Sequence, residues 1–502
     1  METELPSRFR ITYDIKGDPL KDMLVLMTQP PPYALTGRYT EECKDIIECA
    51  HPGDFLLPEE CMLMHHFMCA QNLGFAWYNL ECGHFCKDFF PSIEILTIPH
   101  KLWAQQNILI LPGIYEEVCQ IIQNKLDTGM YKPSNSSYRS RWFCMVKKDG
   151  KLLRIVHSLE LLNRVTIKHT GVTPFTDQIS EHFAGCACGG MLDLYVGYDE
   201  HSLLGASHDL TTFQSLFGLL RLVTLPMGWT NSIPIFHDDI THILQPEIPD
   251  TTVPYIDNVP ICSPAGQYRL ANSTKECIPN NLGICHFVWE HFQNLNRVVQ
   301  RIKYSGGTFS GYKLILCAEE IVMVGHCCTP QGRLPNPKYI NKISKWGPSK
   351  DISEVQAFLG MIGVCHMFIL HFAKCTNPPV NLMRKGVPFE FGLEQTTAQE
   401  DLKKVLLMSP ALRPIDYSSD LPVILVVNIS IIAVGFYLCQ ADPNNPCKCF
   451  YVHFSSIALN DREWPFSQPK LELYRHFHTL CAYKIFLVGI RNLIVEVDTR
   501  YI

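Results

Sequence analysis

Residues 421–439, LPVILVVNISIIAVGFYLC, run for nineteen positions without a charged side chain. A stretch of that length is close to the minimum for a helix that crosses a bilayer, so it divides the folds open to this chain into two sets. Several features argue against a span. Asn428 and Ser430 stand in the middle of the run, Pro422 stands near its start, and no Lys or Arg flanks it closely. Val and Ile dominate, as they do in strands. The run is therefore expected to form two buried strands joined at Asn428-Ile-Ser430.

The remaining chain is long enough for several cores. Its 502 residues suggest three or four domains of about 150 residues each. Hydrophobic residues at 47% and charged residues at 18% are those of a globular protein and exclude a largely disordered one. The formal charge of −6 excludes a uniformly basic coat for nucleic acid, but it hides a local exception. Residues 131–168 carry a net +7, leaving −13 elsewhere, and Tyr138, Trp142 and Phe143 lie among those charges. The 22 cysteines are too sparse for a disulfide scaffold, and METELPSRFR does not read as a secretory signal. Reduced thiols in the cytoplasm or nucleus are expected. Cys82-Gly-His84-Phe-Cys86 lacks the second ligand pair of a zinc ribbon or knuckle, and ordinary cysteines are expected there.

Residues 1–106 carry Pro-rich and His-rich patches and a few helices, without evident chemistry. Tyr115 to Met130 reads as an amphipathic helix with Val118, Ile121, Ile122 and Leu126 on one face. It ends in Asp127-Thr128-Gly129, the aspartic-protease triplet. A triplet that follows a polar stretch and closes a helix, with Gly129 as the cap, is not a protease site. Lys147-Lys-Asp-Gly150 suggests a hairpin turn between strands 142–146 and 152–156.

Two carboxylates stand where chemistry is possible. Met191-Leu-Asp-Leu-Tyr-Val196 alternates as a strand, with Leu192, Leu194 and Val196 on one face and Asp193 and Tyr195 on the other. Further on, Val253-Pro-Tyr-Ile-Asp-Asn-Val-Pro-Ile261 places Asp257-Asn258 between two apolar runs, as in a tight hairpin. Between them lie Leu225-Pro-Met-Gly-Trp-Thr-Asn-Ser232 and a helix from about Ile233 to Leu244. The Asp238-Asp239 pair falls inside that helix, away from any strand turn.

The order of these segments is more specific than any one of them. A basic hairpin with Arg154 precedes Leu-Asp-Leu-x-x-Gly-Tyr, then Leu-Pro-Met-Gly-Trp-Thr-Asn, then Tyr-Ile-Asp-Asn. Val324-Gly-His326, Trp346-Gly-Pro348, Ala357-Phe-Leu-Gly360 and Pro388-Phe-Glu-Phe391 follow. Over roughly residues 115–502 the chain resembles the reverse transcriptase and ribonuclease H region of a gypsy-type (Metaviridae) long-terminal-repeat retrotransposon polyprotein, in a degenerate copy.

That resemblance implies an α+β fold: a right-hand polymerase, then a connection and a truncated ribonuclease H-like α/β domain. The implied division is 1–106 as an N-terminal segment of unassigned role, 107–285 as fingers and palm and 286–335 as a thumb-like region. Residues 336–412 are then the connection and 413–502 the incomplete ribonuclease H-like domain. It implies RNA-directed DNA synthesis on an RNA or DNA template-primer from deoxynucleoside triphosphates, with two Mg2+ ions (Mn2+ as a substitute). Asp193, Asp257 and the Leu194 carbonyl would hold the metals. Arg154 and one of Lys147 or Lys148 would hold the triphosphate, Tyr198 would lie under the sugar, Met227 would line the nucleotide pocket and Tyr255 would touch the primer end.

Departures from the pattern are specific. Asn258 replaces the second turn aspartate, which lowers the expected metal affinity and leaves an inactive nucleic-acid-binding remnant as the alternative. His157-Ser158 replaces an aspartate of the strand after Arg154. In the ribonuclease H-like part, Asn428 stands where the first aspartate belongs, while Glu472 and Asp498 match two further ligands. Loss of hydrolysis is expected. With no integrase, protease or nucleocapsid knuckle recognisable, the chain is expected to be part of a longer polyprotein without a membrane span.

Overall fold

The computed structural model describes residues 13–146, 153–195, 197–271, 273–429, 433–443, 445–458 and 468–497. Packing divides the chain into two units, Met1–Pro174 with Cys188–Ala318, and Phe175–Ala187 with Glu319–Ile502. The stretch 286–335 is thus split between the units after Ala318.

In the first unit, helices α1 (Glu41–Ala50) and α2 (Pro58–Ala70) precede α3 (Tyr115–Asp127). The Thr40 side chain accepts from Cys43 N to cap α1, and Glu41 and Glu42 complement the positive end of its dipole. Helix α3 buries Val118 and Ile122, and Gly129 follows it at φ +74°, where a side chain is disfavoured. Asp127 is tied to Gln123 at 2.7 Å, as befits a helix end. Strands β1 (Arg141–Val146) and β2 (Leu153–Ser158) form the expected hairpin, in register from Arg141↔Ser158 to Val146↔Leu153. Its turn, with Lys147 and Lys148, lies outside the described residues.

Next come β3 (Gly189–Asp193), α4 (Ser232–Leu244), β4 (Asn258–Cys262), α5 (His286–Tyr304) and β5 (Ile315–Ala318). The strands make one antiparallel sheet in the order β5-β3-β4. Helix α5 turns Phe292, Leu295, Val298, Val299 and Ile302 inward at helical spacing. The N-terminal residues are built into this same unit. Phe75 and Ala76 pair in parallel with Phe309 and Ser310, and the buried Glu60 carboxylate accepts from Cys285 N at 2.8 Å.

The second unit opens with helix Thr176–His182, followed after Ala318 by β6 (Ile321–Met323), β7 (His326–Thr329) and β8 (Gly332–Pro335) in an antiparallel sheet. The fully buried Arg333 donates to Glu181 at 2.9 Å and to Ser180 Oγ at 3.0 Å. Helices α6 (Pro337–Ser344), α7 (Ile352–Gly363), α8 (Phe372–Asn381) and α9 (Leu393–Leu407) then lead to a second sheet. Its strands are β9 (Val423–Ile429), β10 (Ala433–Asp442), β11 (Asn445–Ala458) and, after α10 (Gln468–Ala482), β12 (Leu493–Val497). The order is β11-β10-β9-β12, antiparallel except that β12 runs parallel to β9.

The apolar run is therefore a strand pair, in register from Val423↔Gln440 to Ile429↔Val434. Leu425, Phe436 and Leu438 are fully buried, each such side chain stabilising the unit by about 1.5–3 kcal/mol. The joint comes later than expected: Asn428 is still within β9, opposite Gly435, and the strand resumes at Ala433. Among the described residues no helix is long and apolar enough to cross a membrane.

Candidate active site

The antiparallel register of β3 and β4 sets Leu192 against Val259 and Asp193 against Asn258. Leu192 and Leu194 are buried, so alternation turns Asp193 to the opposite face. Val196 lies outside the described residues. Before β4 the chain reverses in a two-residue turn: Tyr255 N donates to Asn258 O at 2.8 Å and Asn258 N to Tyr255 O at 3.0 Å. The central pair is Ile256-Asp257, one position earlier than an Asp-Asn turn, with Ile256 in the left-handed region at φ +60°. Pro254 has no N–H to give, and the segment before the turn makes isolated bridges only, in place of the expected strand. Leu194 N donates to Asp257 O at 2.9 Å, which locks the turn beside the end of β3.

Asp193 and Asp257 are thereby brought together. Burial pushes the Asp193 carboxyl above its usual range, the Lys313 ammonium at 2.7 Å pulls it down, and the charge of Asp257 pushes it up again. Asp257 accepts from the Asn258 carboxamide at 3.0 Å. Tyr198, in the short turn Gly197–Glu200, packs edge-on against Phe236 with ring centres 5.3 Å apart. Burial and the Asp257 charge push its phenol up to about 12. Gly197, at φ +41°, brings that turn close to Asp257: a Cβ there would lie 3.7 Å from the Asp257 Cβ. Lys313 is the member of this group that no sequence motif marks.

Of the other expected residues, Tyr255 closes the turn that carries Asp257, while Arg154 and Met227 lie on other segments. Arg154 is exposed on β2 opposite Met145, and Met227 is exposed in the Pro-Met-Gly turn, where Gly228 has φ +95°. Among the described residues neither is hydrogen-bonded or ion-paired to Asp193 or Asp257. Asn163 braces the Met227 turn, donating to Gly228 O at 2.9 Å and accepting from Thr230 N at 2.8 Å. Tyr255 is half-buried. His157 is buried beside Tyr131 and Phe213, its Nε2 2.9 Å from the Tyr131 hydroxyl, and burial pushes it down to about 3. It is a neutral core residue. Asp239 is likewise buried, 2.6 Å from His201.

In the second unit, Asn428 borders a cavity of about 60 Å³ lined also by His371, Lys374, Ala433, Gly435 and Ser456. A lining with a lysine and no carboxylate does not fit a divalent cation. Glu472 falls within α10, and Asp498 lies outside the described residues. Cys82 and Cys86 are in no group with metal-ligand spacing among the described residues.

Comparison with known proteins agrees with the order of the motifs. No protein-family model matches the chain. It is 25% identical over 413 residues to the retrovirus-related Pol polyprotein from transposon 297 of Drosophila melanogaster, covering 80% of this chain and 36% of that protein. It is 25% identical over 412 residues to the transposon Tf2-7 polyprotein of Schizosaccharomyces pombe, covering 79% of this chain and 28% of that protein. The chain thus spans about a third of the length of these relatives. Among solved structures it superposes on the foamy viral protease-reverse transcriptase in complex with dsDNA with a TM-score of 0.77, at 19% identity, over 94% of this chain and 91% of that one. The same protein in complex with RNA/DNA hybrid gives 0.72 at 19% identity, over 94% and 59%. The chain has the α+β fold of a reverse transcriptase, and its homologues are retrotransposon Pol polyproteins.

Proposed function

We propose that the chain is a retrotransposon-derived RNA-directed DNA polymerase whose nucleotidyl transfer is slowed by Asn258. One observation carries this reading: Asp193 and Asp257 converge at the ends of adjoining segments, fixed by backbone pairing. Magnesium is commonly held by one or two carboxylates together with substrate phosphates, so these two residues and the Leu194 carbonyl suit it. When bound, the metal activates the primer hydroxyl and stabilises the leaving pyrophosphate. The chain's own residues bind and orient. Arg154, with Lys147 or Lys148, takes the triphosphate. Tyr198 supports the sugar, Met227 lines the base pocket and Tyr255 meets the primer end.

Lys132, Arg141, Arg154, Arg164 and Lys168 are exposed and suit the phosphates of a template-primer duplex. The proposed division keeps 107–285 as fingers and palm, 336–412 as connection and 413–502 as a ribonuclease H-like domain without hydrolysis, while packing divides the thumb-like 286–335 after Ala318. A cytoplasmic or nuclear setting belongs to the same proposal, supported by cysteines too sparse for a disulfide scaffold.

A second reading, an inactive nucleic-acid-binding remnant, is favoured by Asn258 donating to Asp257 and Lys313 pairing with Asp193. Primer extension on an RNA template, with Mg2+ and then Mn2+, separates the two. Slow synthesis that Asp257→Ala abolishes and Asn258→Asp raises at least about tenfold supports the polymerase. No synthesis by the wild type or by Asn258→Asp, with salt-sensitive duplex binding retained, establishes the remnant.

A further inference from the structure

The described residues contain one group of His, Cys, Asp or Glu side chains at metal-ligand spacing, and it lies outside the site above. One ligand atom from each of Cys188, His291 and Cys317 falls within 4.8 Å of the other two, and all three residues are buried. Three elements bring them together. Cys188 directly precedes β3, Cys317 lies in β5, and the pairing of Ala318 with Gly189 sets their strands side by side. His291 comes from α5, packed on that sheet, and Gly190 makes room for it. A Cβ at Gly190 would stand 2.8 Å from Leu316 O and 3.4 Å from His291 Nε2.

Both ring nitrogens of His291 face backbone carbonyls, Leu316 O on one side and Cys262 O on the other. Nε2 lies 2.7 Å from the Leu316 carbonyl and donates to it, which leaves the lone pair on Nδ1. A backbone carbonyl holding the far ring nitrogen is the usual support of a metal-bound histidine. Nδ1 is buried and makes no well-formed hydrogen bond. The Cys262 carbonyl on its side is itself an acceptor and cannot satisfy a lone pair. The Cys188 and Cys317 sulfurs lie within 4.8 Å of each other. A Cys188–Cys317 disulfide would consume both sulfurs and still leave Nδ1 unsatisfied. A metal ion satisfies all three groups at once.

We propose that Cys188, His291 and Cys317 form a buried zinc site that clips α5 to the β3-β5 sheet. Two thiolates and a neutral imidazole around Zn2+ sum to zero net charge, the arrangement a dry interior tolerates best. Binding releases two thiol protons to solvent. The chain returns to the first unit at Cys188 and leaves it after Ala318, so the metal ties down both crossing points from the first unit's side.

The test uses the full chain, purified with a non-thiol reductant. About one equivalent of zinc by elemental analysis is expected, and Co2+ in its place should give thiolate-to-cobalt charge-transfer absorption. Both signals should vanish in Cys188→Ser/Cys317→Ser and survive in Cys82→Ser/Cys86→Ser. Should the first double variant not fold, alkylation of the wild type decides. Cys188 and Cys317 should resist iodoacetamide in the zinc-loaded chain and react after chelation under mild denaturant. Folded wild type without zinc and without the cobalt band overturns the proposal. So does metal retained by the Cys188/Cys317 variant, or a Cys188–Cys317 disulfide in the native chain.

Discussion

The Lys313 ammonium stands 2.7 Å from the Asp193 carboxylate, a residue 120 positions earlier in the chain. The lysine is 65% exposed, so the pair contributes only ~0–1 kcal/mol to folding, but it competes for an oxygen that a divalent cation needs. Lys313→Met should tighten Mn2+ binding, followed by electron paramagnetic resonance, by up to about fivefold. Weaker binding in the variant would mean that the lysine assists the site.

Ile256 occupies the left-handed region at the first central position of its turn, where glycine is the favoured residue. The conformation costs a β-branched residue about 1–2 kcal/mol. Ile256→Gly should therefore raise the urea midpoint by the equivalent of about 1 kcal/mol, the difference being glycine's extra unfolded-state entropy. A lower midpoint would show that the Ile256 side chain contributes more than the strain removes.

Gly435 leaves no room for a larger residue. A Cβ there would fall 2.2 Å from His371 Nδ1, and His371 is itself at φ +58°. Gly435→Ala should destabilise the second unit by about 1–3 kcal/mol. His371→Gly should be close to neutral alone and should recover most of that loss in the double variant. Additive effects in the cycle would exclude direct coupling.

Glu200 supplies a pH signature. Burial pushes its carboxyl up to about 8, against the hydrogen bonds it accepts from Thr308 N at 2.9 Å and Thr308 Oγ1 at 3.0 Å. The folded value exceeds the ordinary 4.5, so the neutral acid's contribution is complete below about 4.5 and is lost as pH rises through about 8. Unfolding free energy should fall across that window by up to ~1.4 kcal/mol per unit from this group. Glu200→Gln should flatten the slope; parallel curves for variant and wild type would show an ionised Glu200.

Local pattern made much of this legible. Alternation around Asp193 and the short polar break at Asp257-Asn258 located both carboxylates, because strand faces and tight turns are written in neighbouring residues. The run 421–439 was readable as strands for the same reason, through its Val and Ile content. What escaped depends on distant pairing. Lys313 reaches Asp193, and Cys188, His291 and Cys317 meet, only after β3, β5 and α5 have packed. His157 carries no pattern that separates a core imidazole from a lost aspartate; its burial against Tyr131 and Phe213 does. The N-terminal residues showed no chemistry because their Phe75-Ala76 strand acquires a partner only at Phe309.

Helix Thr176–His182 belongs to the second unit although most of that unit's chain comes after Ala318. A recombination event or a protease cut at residue 318 would therefore not release an intact module. The downstream piece would carry Arg333 without Glu181 and Ser180, a buried charge stripped of its partners at a cost of about 3–5 kcal/mol. During synthesis the same helix must wait for its partners while more than a hundred residues of the first unit emerge.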